Sequence, residues 1–408
     1  MTNQPVSIEA NSVSNAYIDY SIQLNRWSLK PIGAWPYFST TTTYEKIVSV
    51  ILIVLCYAIL LFSIIPCVAH LIFVDDILYS KIRVFGTMGH WLIGGISYTN
   101  LLFQGRRIGD CVEHMEADWR IVTKDSEQQV MLKRAKFGRY VSIICAIFVH
   151  SGAMSYCIVS ASNTQTIDIG NETRTFRTLP LSVYNKMIPV ETSPANEIVI
   201  VMQFLSAFIS DSGGIGFYVL ASVLAAHACG QLDVLAIWIN DYVNESRDKN
   251  EDGSFRRIEM IVQHHLRILD FIARIEEIMS WVCMTELFRC ILAICMVGYF
   301  IIMEWSEHDV RNLATYFIVF ISVTFNTFVL CYIGELLTEQ CLKVGEIVYM
   351  TNWYYLPVKK ILDLILIIVR SSMVIELTAG KIIQMSIYTF GDVMRLAFAY
   401  LNILVQIT

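Results

Sequence analysis

Charge is what this sequence has least of. Only 16% of its 408 residues are Asp, Glu, Lys or Arg, against about 25% in soluble domains. Two soluble domains would fit the length, but their apolar runs rarely reach about 20 residues. Runs of that length recur here, so the fold expected is an all-α polytopic membrane protein. Catalytic motifs are absent as well. No HExxH, glycine-rich phosphate loop or GxSxG elbow occurs, which argues against an enzyme. His264 and His265 are adjacent and cannot share a helical face as zinc ligands at i, i+4 do. Neither a metal, a cofactor nor a nucleic-acid partner is expected. Residues 1–43 hold no continuous apolar core and hence no signal peptide, so the amino terminus is expected in the cytosol.

What is present is a series of seven apolar segments: 47–70, 84–104, 140–160, 197–224, 278–303, 312–337 and 380–404. Of the 30 Lys and Arg, 21 fall in the tail and in 105–139, 241–277 and 338–379, and only 6 in the alternate connections. The positive-inside rule makes the crowded side cytosolic. The topology is therefore inverted, with the carboxyl terminus extracellular. None of the eleven cysteines lies in the outer connections 161–196 or 304–311, which excludes an extracellular disulfide framework. Asn171 opens an acceptor sequon in the long outer connection and can be glycosylated there. Asn244-Glu245-Ser246 fits the same pattern on the inner side, by chance.

The helical pattern that starts near Glu197 continues past the membrane to about residue 246. Roughly 50 residues at 1.5 Å give about 75 Å, against an apolar core of about 30 Å. Segment 255–280 returns with an amphipathic pattern, so a cytosolic helical domain is expected below the bilayer. Gly213, Gly214 and Gly216 either bend this span or pack closely. Glu286 and Arg289 stand at i, i+3 inside the fifth span, as a structural ion pair or part of an ion path. The remaining histidines are expected in loops and packing. A G-protein-coupled receptor does not fit. Arg139-Tyr140 stands at the start of span three, NPxxY is missing, and the topology is reversed.

The last segment is the most polar. On a helical wheel Lys381, Gln384, Tyr388, Asp392, Arg395, Asn402 and Gln406 form one stripe, opposed by Ile387, Met394, Leu401 and Leu404. Such a stripe faces protein or water and not lipid. It either packs on its own bundle or lines a pore, and a single stripe encloses a pore only when several subunits each supply one.

The closing 57 residues resemble the carboxyl-terminal signature of insect odorant receptors. The matching pieces are WYxLPxKK at 353–360, RSS at 370–372, LTAGK at 377–381, SxxTF at 386–390 and AYLNxL at 399–404. AYLNILVQI is also similar to the TYhhhhhQF signature of the related gustatory receptors, with Tyr400 and Gln406 kept and the Thr and Phe replaced by Ala399 and Ile407. The resemblance implies an odorant-gated, non-selective cation channel assembled as a heterotetramer with a co-receptor subunit. It implies multi-pass residence in the plasma membrane of a sensory neuron dendrite. The alternatives are a gustatory-type channel and a metabotropic or transporter-like seven-span protein. The short connection RDKNEDGSF between spans four and five marks a ligand-binding, tuning subunit, because the co-receptor carries a large insertion there.

The domain plan that follows is a cytosolic tail at 1–46 and a six-span ligand-binding bundle with cytosolic extensions at 47–337. A cytosolic anchor segment at 338–379 and a pore-lining seventh span at 380–408 complete it. The resemblance assigns assembly contacts to Trp353, Tyr354 and Tyr355. It assigns the gate to Ile403 and Ile407 with Gln406 beside them, and Asp392 lies deeper on the same stripe. A small volatile, apolar ligand is expected in the outer half of the bundle. The bulky candidates there are Met88, Trp91, Phe148, Met154, Tyr156, Met202, Phe208, Tyr299, Tyr316 and Phe320.

Overall fold

The computed structural model describes residues 5–38, 40–75, 77–169, 172–245, 251–307, 309–373 and 375–407. Among them the order of elements is α1 (Pro5–Leu29), α2 (Thr43–Phe73), α3 (Leu78–Phe103), α4 (Gly105–Ile121) and α5 (Asp125–Ser162). A hairpin of β1 (Thr164–Ile169) and β2 (Glu172–Arg177) follows, then α6 (Ala195–Glu245), α7 (Glu251–Glu307) and α8 (Val310–Met350). A 3₁₀ turn (Trp353–Tyr355) leads to α9 (Val358–Ser372), a hairpin of β3 (Thr378–Ala379) and β4 (Ile383–Gln384), and α10 (Ile387–Ile407).

Each expected span maps to one helix, the seventh only from Ile387 onward. Six helices (α2, α5, α6, α7, α8 and α10) are long and apolar enough to cross a membrane. The other, α3, has 26 residues, but Lys81, Arg83, His90 and its glycines dilute its hydropathy. The bundle is inside out by soluble standards. α2 presents Ile47, Ile51, Val54, Leu55 and Ile65 outward, a contiguous apolar face that water does not cover.

α6 is the axis of the molecule, and α1, α2, α3, α5, α7 and α8 all pack on it. It stays helical through its glycines, and two of them, Gly213 and Gly216, pack closely. A Cβ at Gly213 would sit 3.0 Å from Tyr98 Cβ, and one at Gly216 would sit 2.5 Å from Leu29 Cδ2. α6, α7 and α8 have 51, 57 and 41 residues, so they overrun a bilayer core of about 30 Å. Their extensions join α1, α4 and the start of α5 in a second helical layer around Trp119, Ile239, Tyr242, Phe271 and Ile272.

Three boundaries of the expected domain plan need correction. The segment 1–46 is not a bare tail, because α1 buries Ile18, Ile22 and Leu29 against this layer. Arg139 Nη1 donates to the Tyr20 carbonyl at 2.9 Å, and its guanidinium lies 4.5 Å from the Tyr20 ring centroid. The seventh span begins at Ile387 and not at 380. Gly380 (φ +62°) and Lys381 (φ +60°) turn the chain in the left-handed region, which the β3–β4 hairpin needs. Gly380 N and Lys381 N donate to the Ser280 carbonyl (2.8 Å) and Oγ (3.0 Å) on α7. A Cβ at Gly334 of α8 would meet the Met385 carbonyl oxygen at 2.4 Å. Lys381 and Gln384 thus belong to a staple between helices and not to the polar stripe. Likewise 338–350 continues α8, so the anchor segment proper starts at the 3₁₀ turn.

The extension layer holds a buried ion node. Asp118 Oδ2 pairs with His227 Nε2 at 2.9 Å, and its Oδ1 accepts from Arg267 Nε (3.0 Å) and lies 2.8 Å from Nη2. His114 Nε2 stands 3.5 Å away. Burial works to raise the Asp118 carboxyl. The His227 hydrogen bond and the His227, His114 and Arg267 charges outweigh it and hold the pKa below the ordinary value. His227 and His114 are therefore more than packing residues. No cluster of metal-ligating residues occurs among the described residues.

Candidate functional site

At the end of the bundle opposite the extensions, α3, α5, α7 and α8 enclose a cavity of about 110 Å³. Its walls repeat helical spacing: 149, 152, 153 and 156 on α5; 289, 293, 296, 297 and 300 on α7; 316, 319, 322, 323 and 326 on α8. Each helix turns one face to the space. Gly152 lets α5 approach α8, since a Cβ there would lie 3.2 Å from Ser322 Cβ.

Three of the ten residues expected around a ligand, Trp91, Tyr156 and Tyr316, line this cavity. The other seven lie elsewhere. Met88 is buried in a neighbouring cluster with Cys67, Val84 and Cys157, and Met154 leans on it. Tyr299 is buried beside Tyr79, with ring centroids 6.2 Å apart. Phe148 stacks on Phe325 at 4.4 Å, and Phe320 meets Phe398 of α10 at 6.5 Å. Met202 packs against the main core, while Phe208 is exposed and stacked on His150 at 4.9 Å.

Sequence reasoning missed His90 and Asn326 in the polar wall and placed Arg289 only in a pair with Glu286; all three line the cavity. Polar side chains inside spans were the available signal. Arg289 donates to Glu286 Oε2 through Nε (2.6 Å) and to the Tyr218 hydroxyl through Nη2 (2.8 Å). Tyr218 in turn donates to Glu286 Oε2 at 2.8 Å. The i, i+3 pair is thus a closed triad at the cavity's edge. His90 Nε2 lies 3.2 Å from Asp211 Oδ1, a carboxylate that also has His150 Nδ1 at 3.7 Å.

α10 buries Val393, Ala397 and Leu401 at i, i+4, i+8, and Gly298 of α7 receives Leu401, where a Cβ would come within 2.7 Å of Cδ2. Tyr388, Arg395, Asn402 and Gln406 are exposed on the opposite side, and Asp392 is half-buried. Arg395 Nη1 donates to Asp392 Oδ1 at 3.3 Å. Ile403 and Ile407 are 51% and 71% exposed at the rim of this stripe, so the chain's own bundle does not cover it. One buried cluster joins the two features: Cys295, Tyr299, Phe300, Tyr316 and Leu401 pack together, and Phe300 and Tyr316 also line the cavity.

On α9, Leu364 and Ile367 are buried while Leu362, Leu366 and Val369 face outward. Next to it Tyr354 and Tyr355 are exposed, with rings 4.4 Å apart, whereas Trp353 packs on the core and donates through Nε1 to the Tyr349 carbonyl at 3.0 Å. Asn171 lies outside the described residues.

A family model described as 7tm Odorant receptor matches residues 82–398. Odorant receptor 10 of Aedes albopictus is 21% identical over 56% of this chain and 60% of its own length. Odorant receptor 67c of Drosophila melanogaster is 22% identical over 53% of each chain. The chain thus spans little more than half the length of these curated relatives. Among solved structures, the insect olfactory receptor OR5 of Machilis hrabei in complex with eugenol superposes with a TM-score of 0.74 at 13% identity, covering 96% of this chain and 100% of the other. Its fold is shared.

Proposed function

The chain belongs to the seven-transmembrane odorant receptor family, and from that premise we propose that it is a ligand-binding subunit of an odorant-gated cation channel in the plasma membrane. The family is one of receptors and ion channels, not enzymes, and its members work with a co-receptor; this chain's partner is then the co-receptor of a heterotetramer. The carrying observation is the shared cluster of Phe300, Tyr316 and Leu401, because it joins a cavity wall to the inner face of α10. A ligand that displaces Met296 or Val297 also moves the adjacent Gly298, on which Leu401 rests. The polar stripe of α10 then meets water along an axis shared by subunits, with Ile403 and Ile407 as the gate, Gln406 beside them and Asp392 deeper. Trp353, Tyr354 and Tyr355 with α9 supply the assembly contacts.

The ligand is a small, largely apolar molecule; eugenol, bound by the Machilis hrabei receptor, is of that kind. The test is current from cells expressing this chain with and without the co-receptor, and from excised patches without nucleotide or G protein. Trp91→Ala, Tyr156→Ala and Tyr316→Ala are expected to change the rank order of agonists with surface delivery intact. Uniform loss of response in all three would reduce them to packing residues.

Orientation follows from the distribution of Lys and Arg. An epitope after Thr408 is expected to be labelled on intact cells and one at the amino terminus only after permeabilisation. The reverse pattern overturns the inverted topology.

A further inference from the structure

Most of the cavity wall is apolar; its polar side chains include His90 on α3, and Asn326 and Arg289 border its deep end. Asn326 is fully buried, and its Nδ2 donates to the Ser322 carbonyl at 2.8 Å. That bond fixes the amide's orientation, which otherwise is ambiguous between O and N. The remaining atom, Oδ1, is buried with no hydrogen-bond partner. A buried acceptor left unpaired is costly, so a molecule filling the cavity gains most by bringing a donor. Arg289 lines the same cavity from α7. Of its five N–H groups, Nε and Nη2 serve the Glu286–Tyr218 triad, which leaves the two on Nη1 outside it.

An acceptor that needs a proton and a cation that needs an oxygen are both met by a single hydroxyl. Resting on the ligand-gated reading above, we propose that the cavity selects alcohols and phenols. The hydroxyl hydrogen bonds Asn326 Oδ1, and the hydroxyl oxygen accepts from the Arg289 guanidinium. The apolar body lies toward Trp91, Phe300 and Tyr316. A volume of about 110 Å³ lies below the roughly 150 Å³ that admits benzene, so it limits the body to about one ring, with the lining side chains yielding around it. Trp91 Nε1 is also buried without a partner. As a donor it takes any ligand oxygen, an ether's included, and so does not discriminate.

The test compares one-ring phenols and six- to eight-carbon alcohols, each beside its own methyl ether, which keeps the oxygen and loses the donor. Binding is read as the ligand-induced rise in Tm of the purified full chain, and gating as current from the chain with its co-receptor. The hydroxyl compounds are expected to bind about tenfold more tightly than their ethers, the scale of one buried hydrogen bond. Asn326→Leu is expected to remove that preference, so that each hydroxyl compound and its ether bind within about twofold of one another. Equal affinity within the pairs, tighter ether binding, or no binding by either overturns the proposal, and the wild-type pairs decide this even where Asn326→Leu fails to fold. Preferential binding without current upholds the ligand class and refutes the channel reading. Current without preference does the opposite.

Discussion

Glu286→Leu is expected to destabilise the protein by about 3–5 kcal/mol, because it leaves the Arg289 guanidinium buried without its counter-charge. Glu286 is 2% exposed, and both Arg289 and Tyr218 bond its Oε2. The paired replacement Glu286→Leu with Arg289→Leu removes both charges and is expected to recover most of the loss, as apolar substitutes for buried ion pairs do. Thermal unfolding of purified protein, with surface delivery as a second readout, distinguishes the two. If the double variant is no more stable than the single one, the cost lies in packing and not in an uncompensated charge.

Ile407→Ser, and to a lesser degree Ile403→Ala, is expected to raise the current that flows without ligand. Both residues are exposed at the end of α10, one turn apart. An apolar constriction stops ions by excluding water, and a polar or smaller side chain wets it. The co-receptor keeps its own constriction, so a partial leak is expected. Leu401→Ala is the contrast. Leu401 is 7% exposed against Gly298, so its loss should cost about 2–5 kcal/mol of stability and blunt the ligand response while resting current stays low. Equal resting currents in the Leu401 and Ile407 variants would refute the pore-facing assignment.

The helix count, the overrun of α6 and α7 and the two faces of α10 were legible because each rests on periodicity and length. α1 was not. Its buried positions Ile18, Ile22 and Leu29 are separated by polar residues that read as a tail until α4 and α6 are there to receive them. The start of the last span was misplaced because Ile382 and Ile383 continue its apolar run, although Gly380 marks a left-handed turn. The cavity was legible only in part. Size and aromaticity favoured Tyr299 and Phe148, which packing consumes, while the polar deep end depends on where α7 and α8 come level, a tertiary fact.

All eleven cysteines are unpaired and buried. In the extension layer burial pushes the Cys111 thiol up to about 12, so almost none of it is thiolate at neutral pH, and the thiolate is the reactive form. The folded chain therefore presents alkylating reagents with a nearly silent background. A cysteine placed at successive positions along α10 would report its own access to water without any native thiol being removed. The face of that helix could then be mapped residue by residue, in the presence and absence of ligand.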